Sequence, residues 1–384
     1  MKLSISFSSK TVCFVIACLV CLSGLQPVTG TAAAAGHKKD ISGYLIAVLP
    51  IDNLSGTRAP VKDIRQLMLK QLTVRGGRVL DDSALEGFMA ARRMRYTGAM
   101  DLETSRMFSR ETPVDAVLIT SLELYDEIYP PKIALISRLV SVGEKPEVLW
   151  TDGIGLSGDD SPGILGLGLI NEQGLLLEKA VRHLMVSLED SLSAASEGVA
   201  SGHWLSGWGR YGPKTFYRSP VLSPETKYTI AIMPFLNRSE RKYAGDIMVL
   251  HFLRQLKGSG RFNVIEPGIV RDDLLGFRII MNEGISFADA SLIFSTIEAD
   301  ADLILSGTVI DYQDYHGPEG APKVDFSVQV IERKSAEVVW TSKSYNTGNE
   351  GVYFFDMGRI NTAHTLASGM AEAVAGMMTA GPGN

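Results

Sequence analysis

Two segments of the chain carry the same order of apolar and polar positions. YLIAVLPIDN (44–53) and YTIAIMPFLN (228–237) are apolar runs that meet a proline and then end on an asparagine. At an offset of 184, Pro50 lies under Pro234 and Asn53 under Asn237. An unbroken run of this kind predicts a strand buried on both faces. Two copies of an opening strand predict two copies of one domain.

In the first copy Val61, Ile64, Leu67, Met68 and Leu72 recur at helical spacing, and Gly76-Gly77 stops the helix before a short strand at 78–80. In the second, Ile247, Leu250, Leu253 and Leu256 line the helix, Gly258 and Gly260 end it, and Phe262 to Ile265 is the strand. His251, one turn after Ile247, reads as a packing residue. Two more helices are predicted in each copy, at 84–95 and 102–109, then at 269–281 and 287–298, where Ser286 and Asp289 form a capping box. DAVLITSLELYD (115–126) and DLILSGTVIDYQD (302–314) are strands opening on Asp115 and Asp302. KIALISRLVSV (132–142) pairs with EVLWT (147–151), and KVDFSVQVIE (323–332) with EVVWT (337–341), through hairpin-length links. These pairs put Trp150 and Trp340 at matching sheet positions, at an offset of 190. A long helix closes each copy, with Leu177, Val181, Leu184, Met185, Leu188 and Leu192 in the first and Leu366, Met370, Val374 and Met377 in the second.

Each copy therefore reads β-α-β-α-α-β-β-β-α. The helix between the first two strands favours a right-handed crossover and parallel pairing. The last three strands, joined by short links, favour an antiparallel meander. The predicted fold is α/β, a mixed α+β sheet with helices packed on it, built as two tandem repeats at 41–196 and 225–380. A length of 384 residues suits two such domains.

Between the copies, at 197–224, lies a segment rich in glycine and aromatics with no helical or alternating period. Trp204, Trp208, Tyr211, Phe216 and Tyr217 are too many rings for an inert linker. Either they pin the segment onto the two domains, or they form a docking site for a partner or glycan, since exposed aromatic runs are costly unless covered.

The first thirty residues change the picture of compartment. Lys2 and Lys10 form a basic start, Val12 to Leu25 is apolar, and Val28-Thr29-Gly30 offers a small-residue cleavage site, as in an export signal. About 14 apolar residues fall short of the roughly 20 that span a membrane. All three cysteines, Cys13, Cys18 and Cys21, lie here. Val15-Ile16-Ala17-Cys18 loosely fits a lipobox, so Cys18 is a candidate lipidation site, although apolar residues continue after it. Simple cleavage and lipidation both stay open. The folded part then has no disulfide and no thiolate site. Without the signal the net charge moves from −6 to −8, which leaves no electrostatic footprint for nucleic acid.

The search for chemistry is negative. Neither opening strand is followed by a phosphate-binding loop or a dinucleotide-type glycine fingerprint. Among the six histidines, His37, His183, His203, His251, His316 and His364, no two stand three to five apart, so helical metal-ligand spacing is missing. Asp159-Asp160 and Asp272-Asp273 are adjacent pairs and read as solvated surface. No nucleophile elbow appears. The expectation is no catalytic residue, no metal and no cofactor.

The paired motifs, I-A-[VI]-[LM]-P-[IF]-x-N, D-x-[VI]-L-[IL]-[TS] and E-V-[LV]-W-T, resemble the bacterial envelope group around the curli-secretion lipoprotein CsgG. The amino-terminal domain of TolB and the LpoB-type activators of penicillin-binding proteins are similar in pattern. The resemblance implies a non-enzymatic role in the periplasm or at the outer membrane, in assembly, secretion or regulation through contacts with envelope proteins. A CsgG-like secretion channel is the alternative, and an envelope hydrolase a third reading. Against a channel, four extra membrane strands need about 40 residues, and every predicted strand already belongs to the soluble fold.

Overall fold

Each apolar opening run becomes the parallel centre of a sheet, β1 (Leu45–Val48) in the first half and β8 (Tyr228–Ile232) in the second. The structure, a computed structural model, describes residues 40–160, 168–194, 208–277, 292–295, 300–317, 320–350, 352 and 358–380. The expected export signal at 1–30, Cys18, Trp204 and most of the helix expected at 287–298 lie outside the described residues.

In the first half, β2 (Asp52–Asn53), α1 (Val61–Val74), β3 (Arg78–Val79), α2 (Asp82–Ala91) and α3 (Leu102–Glu111) lead to a meander of β4 (Ala116–Asp126), β5 (Lys132–Ser141) and β6 (Val148–Ser157), closed by α4 (Gln173–Ala194). After α5 (Trp208–Tyr211) and β7 (Thr215–Arg218), the second half follows β8 with β9 (Leu236–Asn237), α6 (Ala244–Gly258), β10 (Phe262–Val264) and α7 (Pro267–Gly276). It ends with β11 (Leu303–Gln313), β12 (Lys323–Glu332), β13 (Val338–Thr347) and α8 (Ala363–Thr379).

The sheet orders match, β3-β1-β4-β5-β6 and β10-β8-β11-β12-β13, with β2 and β9 each beside the long central strand. β1 and β8 pair in parallel on both sides, and the meanders are antiparallel. Trp150 sits opposite Leu139 and Trp340 opposite Val330, each beside a register shift. The shared residues have shared jobs. The Asp115 and Asp302 carboxylates each accept from an amide at the start of the opening strand, Leu45 N and Thr229 N, at 2.8 Å. Asn53 accepts from Ser55 N and donates to Thr57 O, and Asn237 does the same with Ser239 N and Arg241 O. Such Asx turns bend the chain away from the sheet after the proline.

Two expectations are corrected. The segment 197–224 was expected to hold no element, yet TFYR (215–218) is strand β7, which pairs with β13 and becomes the outer strand of the second sheet. The strand around EVLWT runs on to Ser157, because Gly153 and Gly155 keep pairing with β5.

Residues 39–384 form one compact unit. Helices α1 and α4 cover one face of the first sheet with Ile64, Met68, Val181 and Leu184. The other face, through Val117, Ile119, Ile136 and Val140, shares a core with Ile247 and Phe252 of α6, Leu366 and Met370 of α8, and Val328 of the second sheet. Helices α6 and α8 thus lie between two sheets and are buried on nearly every side, as expected for helices apolar all round. The inner sheet shows it too: β4 and β5 are buried along almost their whole length, whereas β12 alternates buried and half-buried positions. All thirteen strands among the described residues belong to these two open sheets. No helix among the described residues is long and apolar enough to cross a membrane.

Candidate functional site

The face of the first sheet that meets α6 and α8 is largely apolar, with Ser121 and Glu123 of β4 and Arg138 of β5 set into it. Glu123 of β4 and Arg138 of β5 are 1% and 0% exposed. A buried charge must be paired and hydrogen-bonded to be tolerated, and both find their partners in the other half of the chain.

Arg138 meets Glu266, which precedes α7, with Nε donating to Oε2 at 2.9 Å and Nη2 to Oε1 at 2.6 Å. Nη2 also donates to Gly98 O, while Nη1 has no partner. Burial works against the guanidinium charge, and the Glu266 carboxylate more than offsets it, so the pKa of Arg138 lies above its ordinary value. Beside the pair is a cavity of about 50 Å³ lined by Asp52, Tyr96, Ser121, Asp246 and Arg271. Arg271 lies over the Tyr96 ring at 4.5 Å. Burial pushes the Asp52 carboxyl up, with Arg138 opposing.

Glu123 meets α6 and α8. Its Oε2 lies 2.6 Å from Nδ1 of His364 and 3.5 Å from Nε2 of His251, and Tyr312 donates its hydroxyl to Oε1. The imidazole rings are 4.8 Å apart, centre to centre. Burial pushes Glu123 up, but the two imidazoles outweigh it and hold the carboxyl well below the usual range. Burial lowers the pKa of His251, with Glu123 partly opposing. The cluster thus sets one buried carboxylate against two buried imidazoles. Its local basis is glycine: a Cβ at Gly155 would stand 2.6 Å from Thr362 Oγ1 and 2.9 Å from His364 Cδ2, so only glycine lets the start of α8 reach β6.

Around these clusters the seam is polar. Asp126 holds His316 at 2.6 Å, Lys132 donates to Tyr315 O, and Arg254 pairs with Asp152 at 2.7 Å. Asp159 and Asp160, read as a solvated pair, both accept from the Asn361 amide.

Among the described side chains, Tyr211, Phe216 and Tyr217 are not brought together with this seam as one site. Trp208 opens the short helix α5. Tyr211 is partly buried against the core and packs beside Gly369 of α8. Phe216 and Tyr217, on β7, are 54% and 52% exposed, and Phe216 stacks on Trp340 at 5.6 Å. Of the seam residues, His251 reads in the sequence as packing, His316 and His364 only as histidines without metal-ligand spacing, and Asp159 with Asp160 as solvated surface. The available signal was the lone charges in SLELYD and ALISRLVS, which need distant partners if those runs are buried.

By sequence the chain matches no protein-family profile and no curated protein. By structure it is similar to the PelC dodecamer from Paraburkholderia phytofirmans, at 15% identity, over 44% of this chain and 97% of that one, with a TM-score of 0.30. It is similar to the lipoprotein GNA1162 from Neisseria meningitidis, at 15% identity over 31% and 82%, TM-score 0.26. It is also similar to the LpoB C-terminal domain from Escherichia coli, at 15% identity over 31% and 82%, TM-score 0.23. Each of these likenesses spans less than half of this chain.

Proposed function

We propose that this chain is a non-catalytic component of the bacterial cell envelope that works by binding other envelope proteins, with the outer edge of the second sheet as a contact surface. The observation that carries the reading is the exposure of Phe216 and Tyr217, on the two faces of β7, the last strand of its sheet. An edge strand offers unpaired backbone groups to an incoming chain, and exposed aromatic rings are the residues from which interfaces gain most of their energy. The cavity beside the buried Arg138–Glu266 pair holds about 50 Å³, less than the roughly 300 Å³ or more of a small-molecule site; clefts of about 350 and 370 Å³ lie beside Phe235 and Leu274 and beside Arg92 and Asp101. An export signal at residues 1–30 fits this placement, and Cys18 would add a lipid anchor.

Site-specific photo-crosslinking tests the reading. With a photoreactive residue in place of Tyr217, the intact chain in its own envelope should give one discrete, saturable adduct that excess unmodified chain suppresses. The same group at Val74, exposed on α1, should not. Equal, unsaturable labelling from both positions would contradict the proposal. So would purified chain that hydrolyses peptidoglycan or conducts ions across a bilayer.

A further inference from the structure

The Glu123 cluster holds more polar atoms than its own hydrogen bonds use. His251 is fully buried, yet neither of its ring nitrogens has a hydrogen-bond partner, and Nε2 of His364, a residue 2% exposed, is likewise unpartnered. Of these nitrogens, His251 Nε2 is the one that faces Glu123, at 3.5 Å from its Oε2, and a buried polar atom normally finds a partner. Two imidazoles and a carboxylate, delivered by α6, α8 and β4, bring donor atoms within 4.8 Å of one another. Such a set is the chemistry of a first-row divalent ion, zinc(II) foremost.

The spacing is near what an ion needs. Bonds of about 2.0–2.1 Å in a tetrahedron put donor atoms about 3.3 Å apart. The separations of 3.5 Å from Glu123 to His251 and 2.6 Å to His364 lie on either side of that value. Tyr312, bonded to the other carboxylate oxygen, would orient the ligand from outside, a usual role for such a partner.

We propose that Glu123, His251 and His364 form a buried site for one divalent transition-metal ion, zinc(II) by ligand type, that ties the first sheet to the helices of the second half. A water molecule would complete the coordination, and burial of all three ligands makes the site a structural clamp. The inference does not depend on the binding role of β7. The competing account is a plain hydrogen-bonded cluster, with Glu123 shared between two imidazoles and no ion.

The test uses the full chain without an affinity tag, stripped with a chelator and then titrated with zinc chloride or cobalt chloride. The expected result is one equivalent of metal per chain, a visible cobalt absorption of the low-symmetry, four-coordinate kind, and a melting temperature that rises with free zinc. His251→Gln and His364→Gln should each weaken zinc binding at least tenfold, whereas His183→Gln, at a half-exposed ring elsewhere, should leave it unchanged. Should a variant fail to fold, the stoichiometry and cobalt spectrum of the unaltered chain still decide the matter. Failure of the unaltered chain to bind one equivalent, or binding that survives both seam variants and vanishes in H183Q, would overturn the proposal.

Discussion

Asp152 is held between Arg254, at 2.7 Å, and the His183 ring, at 3.6 Å, with 14% of its side chain exposed. Burial disfavours its charge, but His183 and Arg254 together outweigh burial and keep the carboxyl well below the usual range. The consequence for stability has a definite sign. A depressed carboxyl pKa stabilises the fold above the unfolded value, about 3.9, and that contribution is lost as the pH falls toward the folded value. Asp152→Asn should therefore lower stability in urea at pH 7. The gap between variant and unaltered chain should shrink steadily below about pH 4. A gap that stays constant across that range would show that the ion pair with Arg254 is not its source.

At the scale of elements, the start of α8 reaches β6 only because Gly153 and Gly155 present no side chains. Gly155→Ala should put its methyl into Thr362 and His364, push the helix start outward, and destabilise the chain by about 1–3 kcal/mol, read as a lowered denaturation midpoint. A midpoint equal to that of the unaltered chain would mean that α8 can shift at no cost. Much at this scale was legible in the sequence. The proline and asparagine of each opening run, Asp115 with Asp302, and Trp150 with Trp340 marked equivalent positions because each has a local job repeated in both halves. β7 was not legible. Four residues carry too short a pattern, and their strand character depends on the free edge of β13, far away in sequence.

At the scale of the whole molecule, the first sheet borrows α6 and α8 to cover its second face. That arrangement was hidden because its contacts, Glu123 with His364 and Arg138 with Glu266, join residues separated by 241 and 128 positions. Pattern alone gives each strand its burial and not its partner. The unbroken runs of β4 and β5 against the alternation of β12 were the visible trace. Residues 208–380 produced alone, with β7 kept in the second sheet, should expose the faces of α6 and α8 that β4 and β5 cover, bind a hydrophobic dye, and unfold at lower denaturant than the full chain. Supplying residues 41–196 in trans should reverse both effects. Two halves that each fold stably and ignore one another would refute a shared core.

Among the aromatic residues of the connecting segment, Tyr211 of α5 packs beside α8 while Tyr217 of β7 is half exposed, and the role proposed for β7 rests on that division. Tyr217→Ser, in a chain that carries the photoreactive residue at exposed Thr215 instead, followed side by side for melting temperature and for the crosslinked envelope complex, tests that division most directly. The account predicts a melting temperature within about a degree of the unaltered chain, since exposed positions away from packing change stability little. It also predicts a complex weakened at least tenfold, because truncating an aromatic anchor commonly costs about 2 kcal/mol or more. An undiminished complex, or a loss of complex matched by a large fall in melting temperature, would contradict it.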